Sequence, residues 1–303
     1  MDPLMIALIV AVFTLIVLFS GIPIAFGLSF VSIALLIAFE GLQMLDVFAE
    51  TFYAGLNSFV LLSIPMFILM GMAVAHSPAG KDLYTGLDRW LWRVPGGLVI
   101  SNIGACSIFA ALSGSSPATC AAIGTMGIPE MRKRGYSDQI ATGTIAAGGT
   151  LGVLIPPSIV LIVYGMATGT SIGRLFLSGV VPGFMLASLF AIWALIHSYF
   201  IDKNAAKLLR NRKPPTLKEK FEVLPRVFPF LAIIIGVLYV LYGGVATPSE
   251  ASGVGAFLVF VMIAVVYKIY LPKKIWNIVK VSMKESVMIM FIIAASYLFA
   301  FTL

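Results

Sequence analysis

Of the 303 residues, 60% are hydrophobic and only 11% are charged, and the mean hydropathy is +1.04. Soluble domains carry about 25% charged residues, so a soluble globular fold is excluded for most of the chain. The net charge of +7 is no sign of nucleic-acid binding, because the basic residues sit at the ends of apolar runs, as in membrane proteins.

The first apolar run, Leu4 to Phe19, follows Asp2 rather than a basic segment and lacks a small-residue cleavage site. It reads as a retained span and not as a signal peptide. Runs of about 20 apolar residues, the length that crosses a bilayer, are read at 4–20, 22–39, 58–75, 140–165, 175–200, 226–243, 251–270 and 286–303. The link after Phe39 holds Glu40, Asp46 and Glu50 with no Lys or Arg, which sets it outside. Trp90 and Trp92, with Arg89 and Arg93, predict an interfacial helix over about 81–94, since aromatic and basic residues together suit the headgroup layer. His76 and His197 fall near the ends of spans and read as interfacial.

Residues 97–128 are too long for one crossing and too broken for a simple one. Lys81, Arg89 and Arg93 precede this stretch, and Arg132, Lys133 and Arg134 follow it. A single crossing would put one cluster outside, against the positive-inside bias; a re-entrant hairpin keeps both in the cytoplasm. The hairpin is the expected form. It puts the basic stretch from Asp202 to Arg226 inside as well, together with Lys268, Lys273, Lys274, Lys280 and Lys284. Cys106 and Cys120 flank the break in this hairpin and read as two small buried thiols rather than a disulfide.

Two segments lose their helical pattern at their middles. Gly114-Ser115-Ser116-Pro117 interrupts the first, and Gly152 through Pro156-Pro157-Ser158 interrupts the second. Backbone groups freed by such breaks cannot face hydrocarbon, where each unpaired one costs several kcal/mol. They are tolerated in protein or around a wet cavity, and paired broken segments mark midplane binding sites in transporters. Ser116 is expected as N-cap of a new half-helix, with Pro117 at its first position and Thr119 at its third. The carbonyls ending the preceding half-helix, with the hydroxyls of Ser113, Ser115 and Ser116, suit a small hard cation; the new N-terminus suits an anion. Gly148, Gly149 and Gly152 permit close packing and a bent chain, and Pro156-Pro157-Ser158 opens the next half-helix. The competing reading is that both breaks are packing kinks. Thr247-Pro248-Ser249-Glu250 fits a capping box.

The chain also carries a weak internal repeat. A span ending at Gly21-Ile22-Pro23, a second span, and LNSFVLLSIPMFILMGMAV recur as a span ending at Gly244-Val245-Ala246-Thr247-Pro248, a second span, and KESVMIMFIIAASYLFAFT. The copies start on opposite sides, the inverted arrangement of secondary transporters. The expected organisation is therefore a first repeat over 1–200, a cytoplasmic basic linker over 201–226, and the start of a second repeat over 227–303. That second copy lacks counterparts of the hairpin and broken helix, so the chain reads as truncated at its C-terminal end.

The strings SGSSPATCAAIGTMGIPEMRKRGY and AAGGTLGVLIPPSIVLIVYG closely resemble the large transmembrane (M, DctM-like) subunit of tripartite ATP-independent periplasmic (TRAP) transporters. GGVATPSEASGVGA is similar to the family's second-half motif. The resemblance implies an all-α, polytopic, elevator-type permease of the bacterial inner membrane, importing a C4-dicarboxylate or sialic-acid-like organic acid on a sodium gradient. It implies a small membrane (Q) subunit and a periplasmic substrate-binding (P) protein as partners, with no cofactor besides the coupling sodium ion. Carried onto this chain, Ser113, Gly114, Ser115, Ser116, Pro117 and Thr119 at the hairpin tip, with Gly149, Gly152, Pro156, Pro157 and Ser158 at the second break, line the substrate and one sodium site. Ser115 and Ser116 are the expected sodium ligands. A re-entrant-loop ion channel is the alternative. An intramembrane enzyme is disfavoured, since no HExxH or paired-Asp pattern lies within a span.

Overall fold

The structure, a computed structural model, describes residues 3–94, 96–200 and 214–302. Among these residues it is all helical, with no strand. The helices are α1 (Pro3–Phe19), α2 (Ile24–Phe39), α3 (Leu45–Leu56), α4 (Ser63–Ala75), α5 (Ala79–Trp90), α6 (Gly97–Ser113), α7 (Ser116–Lys133), α8 (Asp138–Leu154) and α9 (Ile159–Thr168). They continue as α10 (Ile172–Phe200), α11 (Leu217–Glu222), α12 (Leu224–Tyr242), α13 (Pro248–Val265) and α14 (Pro272–Thr302). Five stretches among the described residues are long and apolar enough to cross a membrane: Asp138–Thr168, Ile172–Tyr199, Leu224–Tyr242, Pro248–Val265 and Pro272–Thr302. Exposed Leu, Ile, Val and Phe side chains crowd the surfaces of α1, α10 and α12, as helices facing lipid require.

Helix ends follow their local chemistry. Thr247 caps α13 in a reciprocal box: the Glu250 amide donates to Thr247 Oγ1 at 3.4 Å, and the Thr247 amide donates to Glu250 Oε2 at 2.8 Å. Thr216 and Glu219 form a second box at the start of α11, and the TLKE string carries the same spacing. Several boundaries differ from expectation. The acidic link after Phe39 contains α3, whose apolar positions give it one oily face. The last span begins at Pro272 and not near 286, so Lys273, Lys274, Lys280 and Lys284 lie on a helix; Pro272 supplies a pre-set first turn with no amide to lose. The linker contains α11, while its residues 201–213 lie outside the described residues.

The chain separates into two compact units, residues 1–62 with 283–303, and residues 63–282. In the first, α1 and α2 bury Val10, Val17, Val31 and Leu35 against Ile6, Phe13 and Phe299. There Phe26 of α2 meets Phe291 of α14 edge to face at 5.0 Å. In the second unit, α13 lies on α4: a Cβ added at Gly255 would stand 2.9 Å from Met70 Sδ. The hairpin α6–α7 and the broken pair α8–α9 lie wholly in this second unit.

Candidate substrate- and ion-binding site

The hairpin begins with its turn. Gly114 ends α6 in the left-handed region (φ +58°), its amide donating to Ala110 O at 2.9 Å; such a helix end favours glycine because it has no Cβ to clash. The chain is extended at Ser115 (φ −132°, ψ 121°), whose Oγ accepts from the Ala118 amide at 3.4 Å and caps α7. The N-cap is therefore Ser115, one residue earlier than expected. The reason is the turn itself: Gly114 reverses the chain in a single residue, so Ser115 is already in the capping conformation. Pro117 then falls at the second helical position, where its missing amide leaves nothing unsatisfied.

The two hairpin helices run back to back. Asn102, near the start of α6, donates from Nδ2 to Met131 Sδ, near the end of α7, at 2.7 Å. At the tip, Ser113 Oγ and Thr119 Oγ1 share a hydrogen bond of 3.0 Å, and Thr119 Oγ1 lies 2.8 Å from the Ser115 carbonyl. Both residues are buried. Their hydroxyls thus lock the turn.

Helix α8 lies in the groove between α6 and α7, and small residues let it in. A Cβ added at Gly148 would stand 2.9 Å from Cys106 Sγ; one at Gly149 would overlap Cys120 Sγ; one at Gly152 would stand 2.7 Å from the Ser116 amide nitrogen. Cys106 and Cys120 are free thiols. Helix α8 runs on to Leu154, past Gly152, so the second break is confined to Ile155-Pro156-Pro157-Ser158. It is shorter than the sequence predicts, because Gly152 serves packing and stays helical. The Pro156–Pro157 peptide is cis. Ser158, fully buried, caps α9: its Oγ accepts from the Leu161 amide at 3.5 Å and donates to Val153 O at 2.6 Å.

The two breaks meet. The Ile159 amide donates to Gly114 O at 3.2 Å, and a Cβ at Gly114 would stand 2.5 Å from Pro157 O. The C-terminal ends of α6 and α8 and the N-terminal ends of α7 and α9 therefore converge on one point. Gly71 of α4 closes one side, where an added Cβ would stand 2.7 Å from Ser113 Cα. Gly71 carries no sequence signal: it lies inside an ordinary apolar run, and its role arises only from packing.

One polar atom at this point is unmatched. Ser116 Oγ is buried and has no hydrogen-bond partner, a state that costs about 1–3 kcal/mol unless something binds it. Among the described residues, the charged side chains of the hairpin itself lie at its base instead. Arg134 pairs with Asp88 of α5 through two bonds of 3.1 Å and with Glu130 at 2.7 Å, and Arg132 pairs with Asp138 at 2.6 Å. Among the described residues, neither Ser113 to Thr119 nor Ile155 to Ser158 carries a charged side chain, so the polar groups at the tip are helix ends, backbone groups and hydroxyls.

An all-helical, polytopic membrane protein in which a hairpin tip interlocks with a broken helix is of the transporter class. The sequence model of the tripartite ATP-independent periplasmic transporter, DctM component, matches residues 9–303, and the chain belongs to that family. It is similar to the C4-dicarboxylate TRAP transporter large permease protein DctM of Vibrio cholerae, 38% identical over 250 residues, covering 82% of this chain and 53% of the relative. It is 36% identical over 237 residues to the isethionate TRAP transporter permease protein DctMQ of Oleidesulfovibrio alaskensis, covering 78% of this chain and 36% of the relative. The sialic acid TRAP transporter large permease protein SiaM of Vibrio cholerae is 31% identical over 250 residues, covering 82% of this chain and 57% of the relative. The chain thus spans between about a third and just over half of the length of these relatives.

Proposed function

We propose that this chain is a permease subunit of a TRAP secondary transporter in a bacterial inner membrane, importing an organic acid by sodium-coupled elevator movement. The observation that carries the reading is the Ile159 to Gly114 hydrogen bond, which brings two broken segments to one point. The N-termini of α7 and α9 present the positive ends of their dipoles to an anion, while the carbonyl ends of α6 and α8, with the unmatched Ser116 hydroxyl, suit sodium. The substrates named for the three relatives, a C4-dicarboxylate, isethionate and sialic acid, are all organic anions.

The inverted-repeat reading finds support in a reciprocal exchange. In one unit α2, from the first copy, packs on the final stretch of α14, from the second; in the other, α13 of the second copy packs on α4 of the first. The proposed partners are a small membrane subunit, in line with the joined M and Q in the name of the Oleidesulfovibrio relative, and a periplasmic binding protein.

The test is uptake of a labelled C4-dicarboxylate or sialic acid into proteoliposomes holding the permease, the small subunit and the binding protein. Concentrative uptake that requires an inward sodium gradient is expected. Ohmic flux without coupling would overturn the reading in favour of a channel.

A further inference from the structure

Helix α11 docks on α5 at the boundary where α12 enters its span. Arg89 of α5 donates to the Glu219 carbonyl and lies 3.4 Å from Glu222 Oε2, and Trp90 meets Phe221 edge to face at 5.7 Å. This clamp leaves a cationic rim above an apolar groove. Lys220 Nζ stands 5.7 Å from the Trp90 ring and 6.0 Å from the Trp92 ring, and Arg93 stands 5.0 Å from Trp92 on its own account. Among the described residues, neither Lys220, Arg93 nor Lys218 forms an ion pair.

Below the rim is a cavity of about 140 Å³ between α5, α6 and α12. Its lining includes Lys220 and Trp90, Leu87 and Val227, and, further along α6 and α12, Ile108 and Leu231. From Val223 to Leu231 the groove follows about 12 Å of helix axis, along the first half of the apolar helix α12. Leu217, Phe221 and Leu224 continue the apolar surface outward, exposed at 74%, 51% and 43%.

We propose that this groove is a site for one anionic phospholipid, its phosphate held by Lys220 and Arg93 beside the two tryptophans and an acyl chain seated towards Ile108. Cations without an ion-pair partner attract an anion, and an apolar groove beside them suits an anion that carries a chain; a lipid of the same leaflet offers both. Basic residues at a membrane surface attract anionic lipids, each contributing about fivefold, the equivalent of about 1 kcal/mol. Tryptophan in the lining suits the same interface. The lipid would tie the linker helix to α5, which also holds the hairpin base through Asp88 and Arg134.

The test uses the full chain in a Trp193→Phe, Trp276→Phe background, so that only Trp90 and Trp92 report. Mixed micelles are titrated with phosphatidylglycerol or phosphatidylcholine brominated on the acyl chain, and quenching is followed. Phosphatidylglycerol is expected to quench at a concentration at least several-fold lower. Lys220→Gln and Arg93→Gln should each reduce that preference about fivefold, and glycerophosphate alone should fail to displace the lipid. Ile108→Phe should weaken both lipids while keeping their ratio; Leu231→Phe takes its place if the first variant is not monodisperse. Equal quenching by both lipids, displacement by glycerophosphate, or indifference to both groove-filling variants would overturn the proposal. Displacement by the small membrane subunit with no lipid preference would assign the groove to a protein helix and overturn it too.

Discussion

The amide of Ile159 donates to the carbonyl of Gly114 at 3.2 Å, so the first amide of α9 satisfies the residue that ends α6. Each break supplies what the other lacks. In a hydrocarbon surrounding a freed amide or carbonyl costs several kcal/mol, and this pairing removes one of each. The same bond ties the tip to the broken helix, so a displacement of one carries the other.

Gly114 should be the least replaceable residue of the tip. Gly114→Ala forces a Cβ into a left-handed backbone, costing about 1–2 kcal/mol, and sets it 2.5 Å from the Pro157 carbonyl. The expected loss is at least about 2 kcal/mol, read as a lowered melting temperature of the purified protein. Gly143→Ala is the matched comparison. Gly143 lies within α8 with open space around its Cβ position, so alanine there should stabilise by about 0.5–1 kcal/mol. Equal effects at the two positions would mean that the tip relaxes freely and the two breaks are not locked.

The hairpin reading has a direct topological test. Asn102 lies beside Met131, so the chain enters and leaves the hairpin at the same end. Lys81 and Ser137, both exposed, stand before and after it. In a background free of other cysteines, Lys81→Cys and Ser137→Cys should each resist a membrane-impermeant thiol reagent added outside intact spheroplasts, and react after permeabilisation. Labelling of either from outside would show that residues 97–128 cross the membrane.

Much of this was legible from residue types. Glycine, serine and proline clusters in apolar runs located both breaks, and the S/T-x-x-E spacing located the cap at Thr247. The basic clusters on both sides of 97–128 point to a hairpin. What escaped was set by contacts distant in sequence. The cap moved from Ser116 to Ser115 because one left-handed glycine completes the turn, a conformation that neighbouring residues leave undetermined. Gly152 looked like part of a break but is a helical contact with Ser115 and Ser116. Gly71 had no local pattern at all. The bond between Ile159 and Gly114 joins residues 45 positions apart, and periodicity carries no information at that range.

Acid should release α11 from α5 before the fold is lost. The backbone amide and side chain of Thr216, and more weakly Arg89, hold the Glu219 carboxyl below the usual carboxylate range. A lowered pKa means that the contribution of this cap is fully present above the ordinary carboxylate value and is lost as pH falls through the lowered one. Since Lys220 and Phe221 pack on Trp90, its fluorescence reports the release. In the background with only Trp90 and Trp92, the acid transition should fall below the ordinary carboxylate range. Thr216→Ala should move it upward. A transition that ignores Thr216→Ala would show that the Glu219 cap does not hold α11.

Ser115 and Ser116 should separate a cap from a ligand, although they are adjacent. Ser115 Oγ accepts from the Ala118 amide, so Ser115→Ala should cost about 1 kcal/mol of stability with or without sodium. Ser116 Oγ is buried and unmatched, so in sodium-free buffer Ser116→Ala should be neutral or slightly stabilising, because it removes an unsatisfied hydroxyl. The difference appears when sodium is added. An ion that binds only the folded protein raises its stability with the logarithm of its concentration above its Kd; the native protein should therefore gain melting temperature with sodium, the Ser115 variant should gain nearly as much, and the Ser116 variant should gain less. With saturating substrate and binding protein, Ser116→Ala should also need several-fold more sodium for half-maximal uptake. Pro117→Ala keeps both hydroxyls and relaxes the start of α7, so it should change melting temperature more than sodium dependence. If Ser116→Ala keeps both the sodium-induced stabilisation and the sodium dependence of uptake, the hydroxyl is no ligand and the tip is a packing turn.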